Sequence, residues 1–178
     1  MSKESINIVW IKRDIRYQDH AALHAAEQAG LPYLILFIFD KVLHDYKDYS
    51  YRHYQFQLQG LKQMQKTLRF YGTDLEICYG QSADIFNYFC THYQINTVFS
   101  YQESGTKTSW DIDKKLSKFF KKKSIPWIQY QRDGILRGIK NRTGWEANWY
   151  QHMHSACYTN TFSPRTFNMI AHPYSKAF

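Results

Sequence analysis

The chain has 178 residues, of which 44% are hydrophobic, and a formal net charge of +8. That length is enough for one domain with a core of its own. The longest apolar run, residues 33–39, is far shorter than the roughly 20 residues that cross a bilayer, and the start lacks the apolar stretch of a secretory signal. Cys78, Cys90 and Cys157 are odd in number and widely spaced, which argues against a disulfide framework. We therefore expect a cytoplasmic protein with no membrane partner.

Strand and helix patterns alternate along the first half of the chain. Residues 6–10 are typical of a buried strand, and Asp19 is expected to cap an alanine-rich helix that ends at Gly30. Residues 33–39 are apolar on both faces, as in a central parallel strand. Apolar residues then recur every three or four positions from 51 to 71, which predicts an amphipathic helix covering the sheet.

The second half continues this alternation. Residues 75–79 alternate apolar and polar side chains, with Cys78 on the wetter face, as in an edge strand. Ser82 is expected to cap the next helix, and strands are predicted at 97–101 and 127–130 on either side of a lysine-rich helix. Five strands with helical crossovers predict a single α/β domain, a doubly wound parallel sheet with helices on both faces.

Most of the positive charge lies on the helix before the fifth strand. Its lysines are Lys107, Lys114, Lys115, Lys118, Lys121, Lys122 and Lys123. Nucleic acid is an obvious partner for so basic a chain, but lysine runs on surface helices are usually solvated. The neighbouring aromatic residues Trp110, Phe119 and Phe120 suit the buried side of the helix better than a nucleic-acid surface. We interpret the lysines as a solvated face.

Polar residues cluster where predicted strands end, and parallel sheets bind ligands at the carboxyl ends of their strands. The candidates for ligand binding are Arg13, Asp14, Phe39, Asp40, Gln102 and Glu103. An alternative role for Arg13 and Asp14 is an ion pair with each other that ties down the first loop. Arginine is planar and always charged, so it suits either a ligand phosphate or a carboxylate of another domain.

Common catalytic and nucleotide-binding motifs are absent from the sequence. No G-x-G-x-x-G follows the first strand, and neither a P-loop nor a G-x-S-x-G elbow occurs. His152, His154 and Cys157 lie within six residues, but helical spacing sends His152 away from the other two. The sequence therefore predicts no catalytic residues and no metal site.

Three segments resemble the photolyase and cryptochrome family. The run W-I-K-R-D-I-R at residues 10–16, followed by D-H-A-A-L at 19–23, is similar to the family opening W-F-R-R-D-L-R…D-N-x-A-L. Residues 101–113 resemble the family's Q-E-x-G…T…R-D stretch, with Ile112 where arginine is usual before the acid Asp113. Residues 50–61 resemble the family helix S-x-R-x-x-F…L-x-x-L.

The resemblance implies the amino-terminal domain of that family, a Rossmann-like (HUP-type) domain over residues 1–140. It implies an antenna chromophore near Glu103, a folate, a deazaflavin or FMN, which absorbs light and passes excitation on. The catalytic FAD and the repair of DNA belong to a larger helical domain that this chain does not reach. The resemblance therefore implies no catalysis by this chain alone, photo-lyase activity only together with the helical domain, and contact with DNA only through it.

The end of the chain is predicted to comprise a helix and an irregular tail. Thr143 and Glu146 are spaced as a capping box for a helix within residues 141–158, which by resemblance leads toward the absent FAD-binding helical domain. Residues 159–178 show no clear period and are predicted to be irregular. The candidates for contact with another domain or partner chain are Arg16, Trp145 and Trp149.

Two functions of other classes stay open. A freestanding Rossmann-like nucleotide-binding module would use the same sheet and strand ends, and tight binding of ATP or AMP would favour it. A docking module for a separate flavoprotein would instead use the aromatic face of Trp145 and Trp149.

Overall fold

The computed structural model describes residues 3–136, 138–162, 167 and 169–175. Its elements, in chain order, are β1 (Glu4–Ile11), α1 (Ala21–Gln28), β2 (Tyr33–Asp40), α2 (Lys41–His44), α3 (Tyr51–Phe70), β3 (Leu75–Gly80), α4 (Ser82–His92), β4 (Tyr93–Tyr101), α5 (Lys107–Lys122), β5 (Trp127–Tyr130) and α6 (Trp145–Met153). None of the described helices combines the length and the hydropathy needed to span a membrane.

The five strands form one parallel sheet in the order β3-β2-β1-β4-β5. The chain adds β2 and β3 on one side of β1 and then crosses over to add β4 and β5 on the other. The predicted doubly wound α/β fold and the edge position of β3 are thus confirmed. Strand order reverses between β1 and β4, so the carboxyl ends of these two strands border the crevice in which such sheets bind ligands.

Helices cover both faces of the sheet and give the domain two hydrophobic cores. On one face Phe86 of α4 and Phe120 of α5 pack edge to face, with ring centroids 4.9 Å apart. On the other face Leu23 of α1 and Leu61 of α3 are fully buried against the sheet. Every residue of β2 is buried, as a central parallel strand covered on both sides requires.

The cap of α1 differs from the prediction. His20, not Asp19, is the cap, and its ring Nδ1 accepts a hydrogen bond from the Leu23 amide at 3.1 Å. Asp19 adopts a left-handed conformation with φ of 51°, and its carboxylate accepts from the amide of Tyr158 at 3.0 Å. Asp19 is therefore used to hold the distant carboxyl-terminal segment rather than the adjacent helix.

Two further predicted caps are also wrong, because tertiary contacts and backbone geometry override local sequence rules. Ser82 is the first residue of α4 rather than its cap, and both its amide and its hydroxyl donate to the carboxylate of Asp40. The capping box of Thr143 and Glu146 does not form. The cap of α6 is Gly144, which has a left-handed φ of 75° and makes no side-chain bond to the helix.

The exposure of two side chains differs from the prediction. Cys78 is fully buried, because part of the carboxyl-terminal segment covers that face of the edge strand. Trp110 is 39% exposed, since the face of α5 that contacts the sheet runs through Ser109, Leu116 and Phe120. Trp110 lies about 100° around the helix from Ser109.

The carboxyl-terminal segment forms no helix or strand over the described residues from 156 onward, yet it is firmly attached to the domain. The Asn160 side chain, 4% exposed, accepts from the His20 amide at 3.1 Å and donates to the His20 carbonyl at 3.3 Å. Its backbone exchanges two hydrogen bonds with the Gln18 side chain. Phe162 is buried against Tyr17 and Tyr71. The segment therefore stabilises the start of α1.

We expect Asn160→Ala to lower the free energy of unfolding by about 1–3 kcal/mol, because it leaves the buried amide of His20 without its partner. Urea unfolding followed by circular dichroism measures the change. Asn87→Ala, at an exposed position of α4, is the matched control and should change stability by less than about 0.5 kcal/mol. Equal stability of the two variants would contradict the role assigned to Asn160.

Candidate functional site

A cavity of about 640 Å³ opens at the carboxyl edge of the sheet, beside the point where strand order reverses. This volume falls within the range of roughly 300–1,000 Å³ typical of small-molecule sites. Aromatic and aliphatic side chains form most of its wall, among them Trp10, Ile15, Phe37, Phe39, Tyr46, Tyr49, Phe56 and Ile112. Charged and polar side chains complete it, among them Lys12, Arg13, Asp40, His44, His53, Glu103 and Asp113.

An ion pair between the ends of β1 and β4 forms one part of this wall. Arg13 follows β1 and Glu103 follows β4, and Arg13 Nε donates to Glu103 Oε1 at 2.8 Å. The Glu103 side chain is 6% exposed and that of Arg13 is 42% exposed. A guanidinium carries five N–H donors and this bond uses one of them, so further donors remain for an anionic group in the cavity.

Gly105 lies directly against this ion pair. A Cβ atom at this position would overlap both the guanidinium of Arg13 and the carboxylate of Glu103. The loop after β4 can therefore approach the pair this closely because residue 105 has no side chain.

A second ion pair joins the end of β1 to α5. Lys12 Nζ lies 2.9 Å from Asp113 Oδ2, and it also lies 4.7 Å from the ring centroid of Trp10 and 5.3 Å from that of Trp127. Burial raises the pKa of Asp113, and the attraction of Lys12 opposes this rise without cancelling it. Asp113, which follows Ile112 rather than the arginine usual in the family, thus has Lys12 as its cationic partner.

Asp40 and Phe39, at the end of β2, both line the cavity. The Asp40 carboxylate, however, accepts from the amides of Val42 and Ser82, both at 2.9 Å, and from the Ser82 hydroxyl. Asp40 therefore caps α2 and ties β2 to the start of α4. The Phe39 ring packs 4.8 Å from that of Tyr54 and gives the cavity an apolar wall.

Asp14 has a buried partner outside the cavity. Its Oδ2 lies 2.7 Å from His20 Nε2, and both side chains are almost completely buried. Burial by itself raises the pKa of Asp14, but the hydrogen bonds that its carboxylate accepts from His20 and from the Lys12 amide outweigh this effect and hold the pKa below its ordinary value of 3.8. The proposed ion pair between Arg13 and Asp14 is wrong, because each binds another residue.

The remaining sequence candidates lie around the site rather than in it. Gln102 is not among the described residues that line the cavity, and its amide donates to the Tyr130 carbonyl at 2.9 Å. Arg16 contacts Asp19 at 3.3 Å and donates to the Tyr101 hydroxyl at 3.2 Å. Trp145 is 39% exposed on α6.

Trp149, also on α6, is half-buried against the loop after β5. A Cβ atom at Gly134, which has a left-handed φ of 69°, would lie 3.0 Å from Trp149 Cδ1. Trp149 therefore packs within the domain, whereas Trp145 offers more surface to a partner.

A group of cavity residues between β2 and α3 was not predicted from the sequence. His44 and Tyr49 line the cavity with ring centroids 5.5 Å apart, and Tyr46 lines it beside them. This stretch has no periodicity and no motif. These cavity residues could have been predicted from the many aromatic residues in a loop that directly follows a central strand.

The chain belongs to the DNA photolyase family, because residues 7–160 match the family model of that description. The amino-terminal domains of cryptochromes and photolyases share its fold. No curated protein sequence matches the chain significantly.

Three solved structures illustrate the likeness. The cryptochrome of Synechocystis sp. PCC6803 superposes with a TM-score of 0.72 at 16% identity, over 97% of this chain and 40% of that one. A class III photolyase from Agrobacterium tumefaciens gives 0.69 at 18% identity, over 99% and 37%. An archaeal photolyase from Sulfolobus tokodaii, solved with two FAD molecules, gives 0.65 at 19% identity, over 83% and 35%. The chain thus spans about two fifths of their length.

Proposed function

We propose that this domain binds an antenna chromophore in the 640 Å³ cavity and serves as the light-harvesting part of a photolyase-like or cryptochrome-like protein. The observation that carries the proposal is the combination of aromatic walls with two ion pairs, Arg13–Glu103 and Lys12–Asp113, at the switch point of the sheet. Aromatic walls suit a planar conjugated ring, and the cations suit a phosphate or carboxylate attached to it.

Folates, deazaflavins and FMN all combine a planar ring system with an anionic group, so each fits this chemistry. The Sulfolobus photolyase, whose structure is described as holding two FAD molecules and implying a novel light-harvesting cofactor, adds a dinucleotide flavin to the candidates. FMN is the first probe, because its single phosphate matches Arg13 and its ring matches the apolar wall that includes Phe39.

Repair of DNA or light sensing would require the helical FAD domain, and DNA would be contacted through that domain. Trp145, 39% exposed on α6, and Arg16 are the residues we assign to the surface that meets this domain or a separate chain carrying it. The cysteines at 78, 90 and 157 are all free thiols, which supports a reducing compartment, the cytoplasm.

Calorimetric titration distinguishes this function from a nucleotide-binding module. We expect one of folate, deazaflavin, FMN or FAD to bind at a single site and with at least about tenfold higher affinity than AMP or ATP, because the larger ring system of such a chromophore contacts more of the aromatic wall than adenine does. Equal or tighter binding of AMP or ATP would favour the nucleotide-binding alternative and contradict the antenna role.

We expect Gly105→Ala to weaken chromophore binding roughly fivefold, corresponding to about 1 kcal/mol. The new Cβ displaces the Arg13 guanidinium from Glu103, so the remaining donors of Arg13 lose their orientation. Ser104→Ala, at the exposed neighbouring position, is the control in the same fluorescence titration. Unchanged affinity of the Gly105 variant would show that the orientation of Arg13 does not matter for binding.

A further inference from the structure

Three possible metal ligands converge on the edge strand β3, away from the cavity. Within the part of the chain that the structure describes, Glu76, Cys78 and His172 are the one group of three such residues whose ligand atoms all lie within 4.8 Å of one another. Sequence analysis had instead considered His152, His154 and Cys157. The ring Nδ1 of His154 lies 2.8 Å from the carbonyl of Tyr150 in its own helix.

The fold explains how residues so distant in sequence meet. Glu76 and Cys78 are two positions apart on β3, so their side chains lie on the same face of the sheet. The carboxyl-terminal segment runs alongside, and the amide of Tyr79 donates to the carbonyl of Tyr174 at 3.0 Å. This contact holds His172 over the same face, where its side chain is 1% exposed.

We propose that Glu76, Cys78 and His172 bind a divalent ion of the zinc class, which fastens the carboxyl-terminal segment to the edge of the sheet. His172 Nε2 lies 3.8 Å from Cys78 Sγ and 3.1 Å from Glu76 Oε1. In a tetrahedral zinc site, bonds of about 2.0–2.3 Å place the ligand atoms roughly 3.3–3.6 Å apart. The two distances from His172 Nε2 therefore need to change by only a few tenths of an ångström. The third distance, between Cys78 Sγ and the Glu76 carboxylate, is at most 4.8 Å, and rotation of the partly exposed Glu76 side chain can close it.

The donor set also suits such an ion in charge and in softness. A thiolate, an imidazole and a carboxylate are ordinary zinc ligands, and the two anions balance a dication. Glu76 is 26% exposed, so the ion can enter from its side and keep a water as fourth ligand. The hydroxyl of Ser175 lies 3.1 Å from Glu76 Oε1 and 3.3 Å from His172 Nδ1, in position to orient both ligands.

Binding changes the protonation of the cluster in a defined way. Burial raises the pKa of the Cys78 thiol, and the nearby charge of Glu76 raises it further, so the ion displaces the thiol proton when the S–metal bond forms. The Tyr174 amide donates to His172 Nδ1 at 3.3 Å, so without the ion the ring proton is on Nε2 and faces Glu76. The ion binds Nε2 once this proton has moved to Nδ1, which ends the contact of Nδ1 with the Tyr174 amide. One proton is thus released for each ion bound.

Titration of the whole chain with Co²⁺ after treatment with a chelator tests this site. We expect binding of one ion per chain, a near-ultraviolet thiolate-to-cobalt band, tetrahedral bands in the visible range, displacement by Zn²⁺ and release of one proton. Cys78→Ser, Glu76→Gln and His172→Ala should each lower the affinity at least about tenfold. Cys157→Ser and His154→Ala, at exposed positions, are the matched controls and should bind as the unmodified chain does.

Absence of the thiolate band at millimolar Co²⁺, or a band that survives Cys78→Ser, overturns the proposal and leaves the cluster as a hydrogen-bonded contact. Glu76→Gln keeps the shape of its side chain, so it tests the site even where loss of the buried cysteine impairs folding. A second readout is hydrogen exchange of the Tyr79 amide. Zn²⁺ should slow this exchange in the unmodified chain and leave it unchanged in Glu76→Gln.

Discussion

His20→Ala is expected to lower the free energy of unfolding by about 3–5 kcal/mol, because it leaves the carboxylate of Asp14 buried without its partner. His20 and Asp14 are almost completely buried and 2.7 Å apart, and the variant also loses the cap of α1. Denaturant unfolding at neutral pH measures the effect. His154→Ala, an exposed histidine of the same chain, is the control. A loss below about 1 kcal/mol would mean that water or another group replaces the imidazole.

The pH dependence of stability gives an independent check on this pair. The pKa of Asp14 lies below its ordinary value of 3.8 in the folded protein, so its ionised form stabilises the fold above about pH 4. This contribution is lost as pH falls through the folded pKa. The stability difference between the unmodified chain and Asp14→Asn should therefore shrink on acidification. A constant difference down to pH 2 would contradict the assigned direction.

Arg13→Ala is expected to weaken chromophore binding by about 10- to 100-fold, the equivalent of one charge-assisted hydrogen bond of roughly 1.5–3 kcal/mol. Glu103→Ala should weaken it less, because it removes the residue that orients Arg13 while leaving the cation in place. Fluorescence titration with FMN measures both variants. Arg69→Ala, whose exposed side chain pairs with Asp74, is the matched control.

The double variant of Arg13 and Glu103 separates direct contact from positioning. If Glu103 acts through Arg13, the double variant should bind no more weakly than Arg13→Ala alone. Additive losses would instead mean that Glu103 contacts the chromophore itself. If the Arg13→Ala variant bound every chromophore as tightly as the unmodified chain does, the ligand would have to lie outside this cavity.

The fold could be predicted because its signals are local. β2 is apolar from Tyr33 to Phe39 and α3 repeats its apolar residues at helical spacing, and neither pattern depends on distant partners. Arg13 and Glu103 both line the cavity, as expected for residues that follow parallel strands on either side of a switch point. Such strands end at the same edge of the sheet.

The rest depends on contacts between residues far apart in sequence. Arg13 lies next to Asp14 but pairs with Glu103, 90 residues later. Cys78 occupies the wetter face by pattern but is buried against His172, 94 residues later. The carboxyl-terminal segment that supplies such partners has no periodicity, so its sequence does not predict where it packs on the domain.

Chromophore retention by the purified chain decides whether this domain binds an antenna. The chain would be incubated separately with folate, deazaflavin, FMN and FAD, freed of unbound compound by gel filtration, and examined by absorption and fluorescence. For at least one compound we expect close to one bound chromophore per chain, with a shifted absorption spectrum. We expect the Arg13→Ala variant to retain no chromophore. A folded chain that retains none of the four at saturating concentration would contradict an antenna role for this domain.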